Sequence, residues 1–137
     1  VVGAATGSTA ALTFANVGDA GREVLITSTQ LRIDITAVVS GMTNFRLYLY
    51  SATPPSALGD NTAWDLPSGD RASFLGYIDL GVPVDLGSTL YVETNALNKQ
   101  LKMASGTSSV FGYLVTTGTW TPASGSVFTI TLHTVNA

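Results

Sequence analysis

Few residues of this chain can do acid–base or nucleophilic chemistry. The sequence contains no cysteine and a single histidine, His133, which stands among threonine and leucine residues of a predicted strand. A Ser-His-Asp site would have to use this histidine, and the Gly-x-Ser-x-Gly turn that presents a nucleophilic serine does not occur. A histidine in such a strand is more often structural or solvated, because an acid–base role first requires geometry. We therefore expect a protein that is not an enzyme.

Three carboxylates follow one another at a spacing of five, namely Asp60, Asp65 and Asp70. Together they could offer oxygen ligands to a hard cation such as calcium, but the spacing does not match an EF-hand loop. The simpler interpretation is preferred: Asp60 caps a helical turn that runs through Trp64, Asp65 is solvated, and Asp70 holds a turn or pairs with Arg71. No metal and no other cofactor is expected.

The remaining acidic residues form no recognisable catalytic pair. Asp79, Asp85 and Glu93 could serve as a glycosidase pair only if the fold brought two of them within about 5 to 9.5 Å. Nothing in their spacing predicts such an approach.

The charge content is unusually low. Only 11% of the residues are Asp, Glu, Lys or Arg, against about 25% in ordinary domains. The formal net charge is -3, and the six basic residues are scattered. Nucleic acid is therefore not an expected partner, since phosphate binding needs clustered Lys and Arg. No apolar run approaches the ~20 residues of a membrane helix, so no membrane partner is expected either.

An alternation of apolar and polar residues begins at Thr29 and predicts the central ribbon of the fold. From 29 to 39 the odd-numbered residues are mostly apolar and the even-numbered ones mostly polar, which is typical of a strand with one buried face. Turn residues follow at 40–44, and a second alternation spans 45–50. Two such runs with a short Gly/Asn-containing link predict an antiparallel pair.

The other segments predict a chain of short strands with no amphipathic helix. The predicted strands, with the two of the ribbon, number about nine; the other seven lie at 10–15, 22–27, 72–80, 88–94, 99–103, 109–116 and 126–135. We predict an all-β, antiparallel β-sandwich of eight or nine strands, with jelly-roll topology preferred and an immunoglobulin-like sandwich as the second choice. Residues 10–137 form this single domain, and residues 1–9 form a flexible arm.

One long irregular stretch and a set of tyrosines remain. The loop at 51–71 contains Pro54-Pro55, which stops any strand, and loops of this length are usually functional or disordered. Five tyrosines alternate on the predicted strands and could form platforms for sugars or protein interfaces. The alternative is that they only cover half-buried sheet faces. They are Tyr48, Tyr50, Tyr77, Tyr91 and Tyr113.

Four stretches carry a resemblance to a known family. They read LYLYSATPPSALGDNTAWDLPSGDRASFLGYIDLG at 47–81, STLYVETNALNKQLKM at 88–103, FGYLVTTG at 111–118 and TLHT at 131–134. The Pro-Pro loop, the DLPSGDR that follows it and the LYV strand are the main parts of the match. These stretches resemble the jelly-roll cement, or head decoration, proteins of tailed bacteriophages.

The resemblance implies a structural role in the virion. A protein of this kind lies on the outer capsid surface, commonly as a homotrimer, and clamps neighbouring major capsid proteins; the family has no catalytic or metal residue. The low charge fits such a role, because uncharged surfaces cost less to desolvate. We expect the interface among Val1, Val2, Thr6, Pro54, Pro55, Trp64, Arg71 and Trp120. The alternative is a receptor- or carbohydrate-binding module of a phage fibre or spike, which would use Tyr and Trp platforms.

Overall fold

Nine β-strands form two antiparallel sheets packed face to face. The structure is a computed structural model that describes residues 1–2, 10–121 and 126–137. The strands are β1 (Leu12–Phe14), β2 (Glu23–Ile33), β3 (Phe45–Tyr50), β4 (Phe74–Gly81), β5 (Val84–Asp85), β6 (Leu90–Thr94), β7 (Lys99–Lys102), β8 (Val110–Thr116) and β9 (Phe128–Asn136). The predicted all-β, antiparallel β-sandwich is confirmed.

The two sheets have four and five strands. Sheet I has the order β1-β8-β3-β4. In sheet II, β5 pairs with β6, and β2 pairs with β6 and β7 along one edge and with β9 along the other. Six strands, β2 to β6 and β8, therefore occupy the places B, C, C′, D, E and F of an immunoglobulin-type sandwich. The first and last strands exchange sheets relative to that fold. The strand order thus fits the second topology considered above.

The predicted central ribbon is wrong in detail. Strand β2 ends at Ile33, and β2 and β3 lie in different sheets, so the residues between them cross from one sheet to the other instead of making a hairpin. The Ile35 N–H donates to the Ile33 carbonyl, which turns the chain where the alternation continues. Half-buried Ile35 and Val39 still pack on the main core. This packing explains why apolar residues continue to alternate in the sequence after the strand has ended.

Strand β2 also unites two predicted strands. Its register to β9 shifts between Ile26 and Ser28, which is a β-bulge. The bulge changes which residues face inward: Val24 and Ile26 are buried before it, and Leu31 and Ile33 after it. Because an extra residue reverses the parity of a strand, one bulged strand shows two alternations out of phase. The sequence therefore predicted two strands, at 22–27 and 29–39.

The main core lies between the sheets. Its fully buried members come from both layers and include Ile26, Leu31, Phe45, Leu47 and Leu90. A second, smaller core of buried aromatic side chains lies on the outer face of sheet I. The predicted helical turn at 60–64 is wrong: a hydrogen-bonded turn lies there, and the short 3-10 helix is Ser68–Asp70.

Candidate interaction surfaces

The 51–71 loop covers an aromatic layer on sheet I. Tyr50 and Tyr113 are fully buried beneath it, although their strand parity pointed them to solvent. Trp64, on the loop, stacks on Tyr48 with ring centroids 3.8 Å apart and an interplanar angle of 19°. The Trp64 indole N–H also donates to the Tyr50 hydroxyl at 3.1 Å. Burial raises the pKa of Tyr50. Both faces of sheet I therefore pack against apolar groups.

Two polar side chains hold this loop in place. The Tyr113 hydroxyl donates to the Ser56 carbonyl at 2.8 Å and accepts from the Leu58 N–H at 3.2 Å. Asp70, which is 1% exposed, accepts hydrogen bonds from the Ser56 hydroxyl and from the Ser56 N–H. A buried carboxylate needs such partners. The Asp70 carboxylate thus bonds to Ser56 on the far side of the loop and ties the two ends of the loop together.

The two described residues at the start of the chain join the same structure. The Val2 N–H donates to the Leu114 carbonyl at 2.8 Å, and the Asn61 N–H donates to the Val1 carbonyl at 3.1 Å. Val1 packs against the aromatic layer and Val2 against the main core. The predicted flexible arm therefore begins with two docked residues. Thr6, the third expected interface residue of the arm, lies outside the described residues.

The other expected interface residues differ in their exposure. Pro54 is buried, whereas Pro55 and Arg71 are exposed. Trp64 is half-buried in its stack on Tyr48. Trp120 is half-buried at one end of the main core, with ring centroids 6.2 Å from Phe45 and 6.1 Å from Phe128, and its indole N–H donates to the Thr116 hydroxyl. The two tryptophans thus serve the fold.

A charged cluster lies on the outer face of sheet I, where it stays exposed. Arg46 donates to Asp79 at 2.8 Å, and the Asn44 amide donates to the same carboxylate oxygen at 2.9 Å. The hydrogen bond from Arg46, followed by that from Asn44, holds the pKa of Asp79 below its usual value. The Arg46 guanidinium also lies 5.0 Å from the centroid of the Tyr77 ring, which is 47% exposed. Tyr and Arg of this kind are common in protein interfaces.

A strip of exposed apolar side chains follows β4 along the chain. Val82, Val84 and Leu86 are 54%, 60% and 64% exposed, whereas Pro83 between the first two is buried. In an extended segment, alternate residues share a face, so the three side chains project together. We call these three residues the β5 strip. The sequence analysis placed no strand between residues 80 and 88; the alternation around Pro83 was the signal that it missed.

The outer face of sheet II is open and largely polar. Its middle row runs Glu93–Gln30–Thr131, on β6, β2 and β9. The Tyr91 hydroxyl donates to Glu93 at 2.9 Å, and this bond raises the pKa of Tyr91. His133 is exposed on the same face, and its ring makes no hydrogen bond to any described residue.

The acidic residues of the long loop do not converge. Over the described part of the chain, no group of three or more His, Asp or Glu residues is placed to hold a metal ion. Among these residues there is also no helix with the length and apolar character needed to cross a membrane.

Comparisons with known proteins add no relative. A scan against protein-family models finds no match, and neither does a search of the curated proteins or of the solved structures.

Proposed function

We propose that this protein is a non-enzymatic structural protein of a tailed-phage virion. In this proposal it binds the outer surface of an assembled capsid and stabilises contacts between major capsid proteins. The resemblance of four stretches to the cement proteins supports a role in the virion; they are 47–81, 88–103, 111–118 and 131–134. The low charge supports binding to other protein surfaces, because charged residues are depleted at the centre of protein interfaces.

The β5 strip is the observation that carries the proposal. Single exposed apolar residues are normal, but three that project side by side mark a surface used for binding. They sit on a short edge where they do not contribute to either core. Three residues are few against the 20 to 30 that each side of a stable interface uses. The strip therefore suits binding to a capsid lattice, where each bound copy makes a weak contact and the many contacts add up.

The energetics of such a protein require no chemistry. A molecule that binds only the assembled lattice stabilises it by RT ln(1 + [L]/Kd), which is about 2.7 kcal/mol per site at a free concentration of 100 Kd. Repeated over a capsid surface, this term opposes the outward pressure of packaged DNA.

Co-sedimentation with capsids tests the proposal. Purified capsids of the phage that encodes this chain, stripped of the protein, are mixed with the wild type and with a Val84→Ser/Leu86→Ser variant. We expect the wild type to pellet with expanded capsids and the variant to bind roughly tenfold to a hundredfold more weakly. Val38→Ser is the matched control, since Val38 is 44% exposed and does not belong to the strip. Wild-type protein that stays in the supernatant overturns the proposal.

A carbohydrate-binding module of a fibre or spike is the second candidate. The observation in its favour is the exposed Tyr77 ring beside Arg46, Asp79 and Asn44, since sugars bind to aromatic rings flanked by polar groups. Trp64 and Trp120 both pack within the fold, which disfavours the tryptophan platforms that a carbohydrate-binding module would use. A glycan array combined with tryptophan fluorescence distinguishes the two, because a capsid-binding protein gives no sugar response.

A further inference from the structure

In the part of the chain that the structure describes, five strands lie at a sheet edge, and one of them lacks the usual protection. Natural sheets block edge-to-edge association with short strands, bulges, prolines and charges. Strand β1 has three residues, β5 has two and follows Pro83, β7 has four with a lysine at each end, and β4 is interrupted by two register shifts. Strand β9 has nine residues, without a bulge, glycine, proline or formally charged side chain between Phe128 and Asn136.

The free edge of β9 carries unpaired backbone groups. One edge pairs with β2, and no other backbone hydrogen bond to residues 128–134 is formed within the part of the chain that the structure describes. At the far end, the Thr134 hydroxyl donates to the Val17 carbonyl, and the Asn136 amide donates to Asp19. These bonds close that end and leave residues 128–133 as the open segment.

Space and apolar surface lie beside this segment. An open groove of about 260 Å³ separates Ile130 and Leu132 from Phe14 and Val17. Ile130 and Leu132 face the main core but stay half-buried, and no strand of the described residues lies beyond β9 to cover them from the side. A strand added to a sheet lies 4.7–4.9 Å from its neighbour, and it would occupy this side of β9.

We propose that β9 pairs with the β9 of a second copy of this chain. The two strands run antiparallel about a two-fold axis, so that two five-stranded sheets become one. Residues directly opposite each other in an antiparallel pair point to the same face of the sheet. The two-fold axis must therefore pass midway between the two copies of one residue, so that this residue lies opposite itself. Centring on Thr131 places Thr131 opposite Thr131 and Ile130 opposite Leu132. Thr–Thr pairs and paired apolar side chains are both favourable across strands.

Charge and hydrogen bonding favour a second copy as the occupant. The chain has a net charge of -3, so self-association needs a surface without like charges, and residues 128–133 carry none. Centred on Thr131, the pairing joins residues 129–133 of each chain and supplies about four to six backbone hydrogen bonds. That number lies at the low end of the 10 ± 5 direct hydrogen bonds that a typical interface carries. The inference goes beyond the proposed capsid role and does not depend on it.

A single-cysteine experiment tests the pairing, since the chain has no cysteine of its own. At the axis, the two Thr131 Cα atoms would lie about 4.5–5.5 Å apart, which is within the ~4.4–6.8 Å that a disulfide bridges. Thr131→Cys should therefore oxidise to a covalent dimer of twice 14.2 kDa on a non-reducing gel. Gln30→Cys is the matched control. Gln30 is the cross-strand partner of Thr131 on β2, and in the proposed dimer the Gln30 Cα atoms of the two copies would lie about 14 Å apart.

Sedimentation is the second test of the β9 pairing. The wild type should sediment as a dimer, and Thr131→Lys should shift the mass to that of the monomer, whereas Gln30→Lys should leave the dimer intact. Circular dichroism of each variant verifies that it folds. Equal oxidation of Thr131→Cys and Gln30→Cys, a wild type that stays monomeric, or a trimer that persists in Thr131→Lys each overturns the β9 pairing. None of these results would bear on capsid binding by the β5 strip.

Discussion

Tyr113 illustrates how one side chain can serve two layers of this fold. It is fully buried on β8, its ring packs edge-on against Tyr50, and its hydroxyl bonds to both Ser56 and Leu58. The hydroxyl therefore joins the sheet to the backbone of the 51–71 loop. A purely apolar ring would fill the same space but would leave the Ser56 carbonyl and the Leu58 N–H with only the 3.1 Å hydrogen bond that they make to each other.

Removing that hydroxyl should destabilise the protein. A hydrogen bond of this kind contributes about 0.5–1.5 kcal/mol, so we expect Tyr113→Phe, which removes both bonds of the hydroxyl, to lower the free energy of unfolding by about 1–2 kcal/mol. Urea denaturation measures the loss. Tyr77→Phe is the control, because Tyr77 is 47% exposed and its ring would remain against Arg46. Equal midpoints for the two variants would show that the loop does not depend on the Tyr113 bonds.

At the scale of elements, β-bulges decide which side chains enter which core. Strand β4 shifts register between its pairs to Leu49 and Tyr50, at Gly76, which has a φ of +94°. On one side of the shift Phe74 packs on the aromatic layer, and beyond it Ile78 is buried in the main core. A strict period of two would have placed these two residues on the same face.

Substitution of Gly76 should therefore disturb the strand. A left-handed φ costs a non-glycine residue about 1–2 kcal/mol, and a Cβ at Gly76 would lie 2.6 Å from the Lys99 Nζ, which must move away. We expect Gly76→Ala to lower the free energy of unfolding by about 1–2 kcal/mol. Gly69→Ala is the matched control, since its φ is ordinary and a Cβ there would meet no atom within 4 Å. A Gly76→Ala variant as stable as the control would contradict the role of the bulge.

At the scale of the molecule, the two sheets play different parts. The 51–71 loop and Val1 cover the aromatic layer on the outer face of sheet I, whereas sheet II has a largely polar outer face and, among the described residues, no strand pairs with the free edge of β9. The exposed β5 strip lies at the opposite edge of sheet II from β9. One molecule could therefore contact a capsid through one edge and a second copy through the other.

Deletion of residues 1–9 tests how the start of the chain contributes to the whole. The sequence analysis expected a flexible arm at these positions. Because Val1 and Val2 are docked, we now expect the strand signal in circular dichroism to persist while stability falls by about 1–3 kcal/mol. Val2→Ala, which keeps the backbone bond to Leu114, separates the side-chain part of the loss. Unchanged stability of the deletion variant would show that these contacts contribute nothing.

The sequence by itself determined the fold class, because alternation and turn residues are local features that can be recognised without knowing which strands pair. It located Phe45–Tyr50 correctly and approximated most other strands. It missed the pairing of β2, because a bulge mimics a strand break and because cross-sheet neighbours are distant in sequence. Only the tertiary structure decided that Trp64 and Trp120 pack within the fold, and that the β5 strip and the β9 edge stay open. Exposure depends on what the rest of the chain covers, and no local pattern records that.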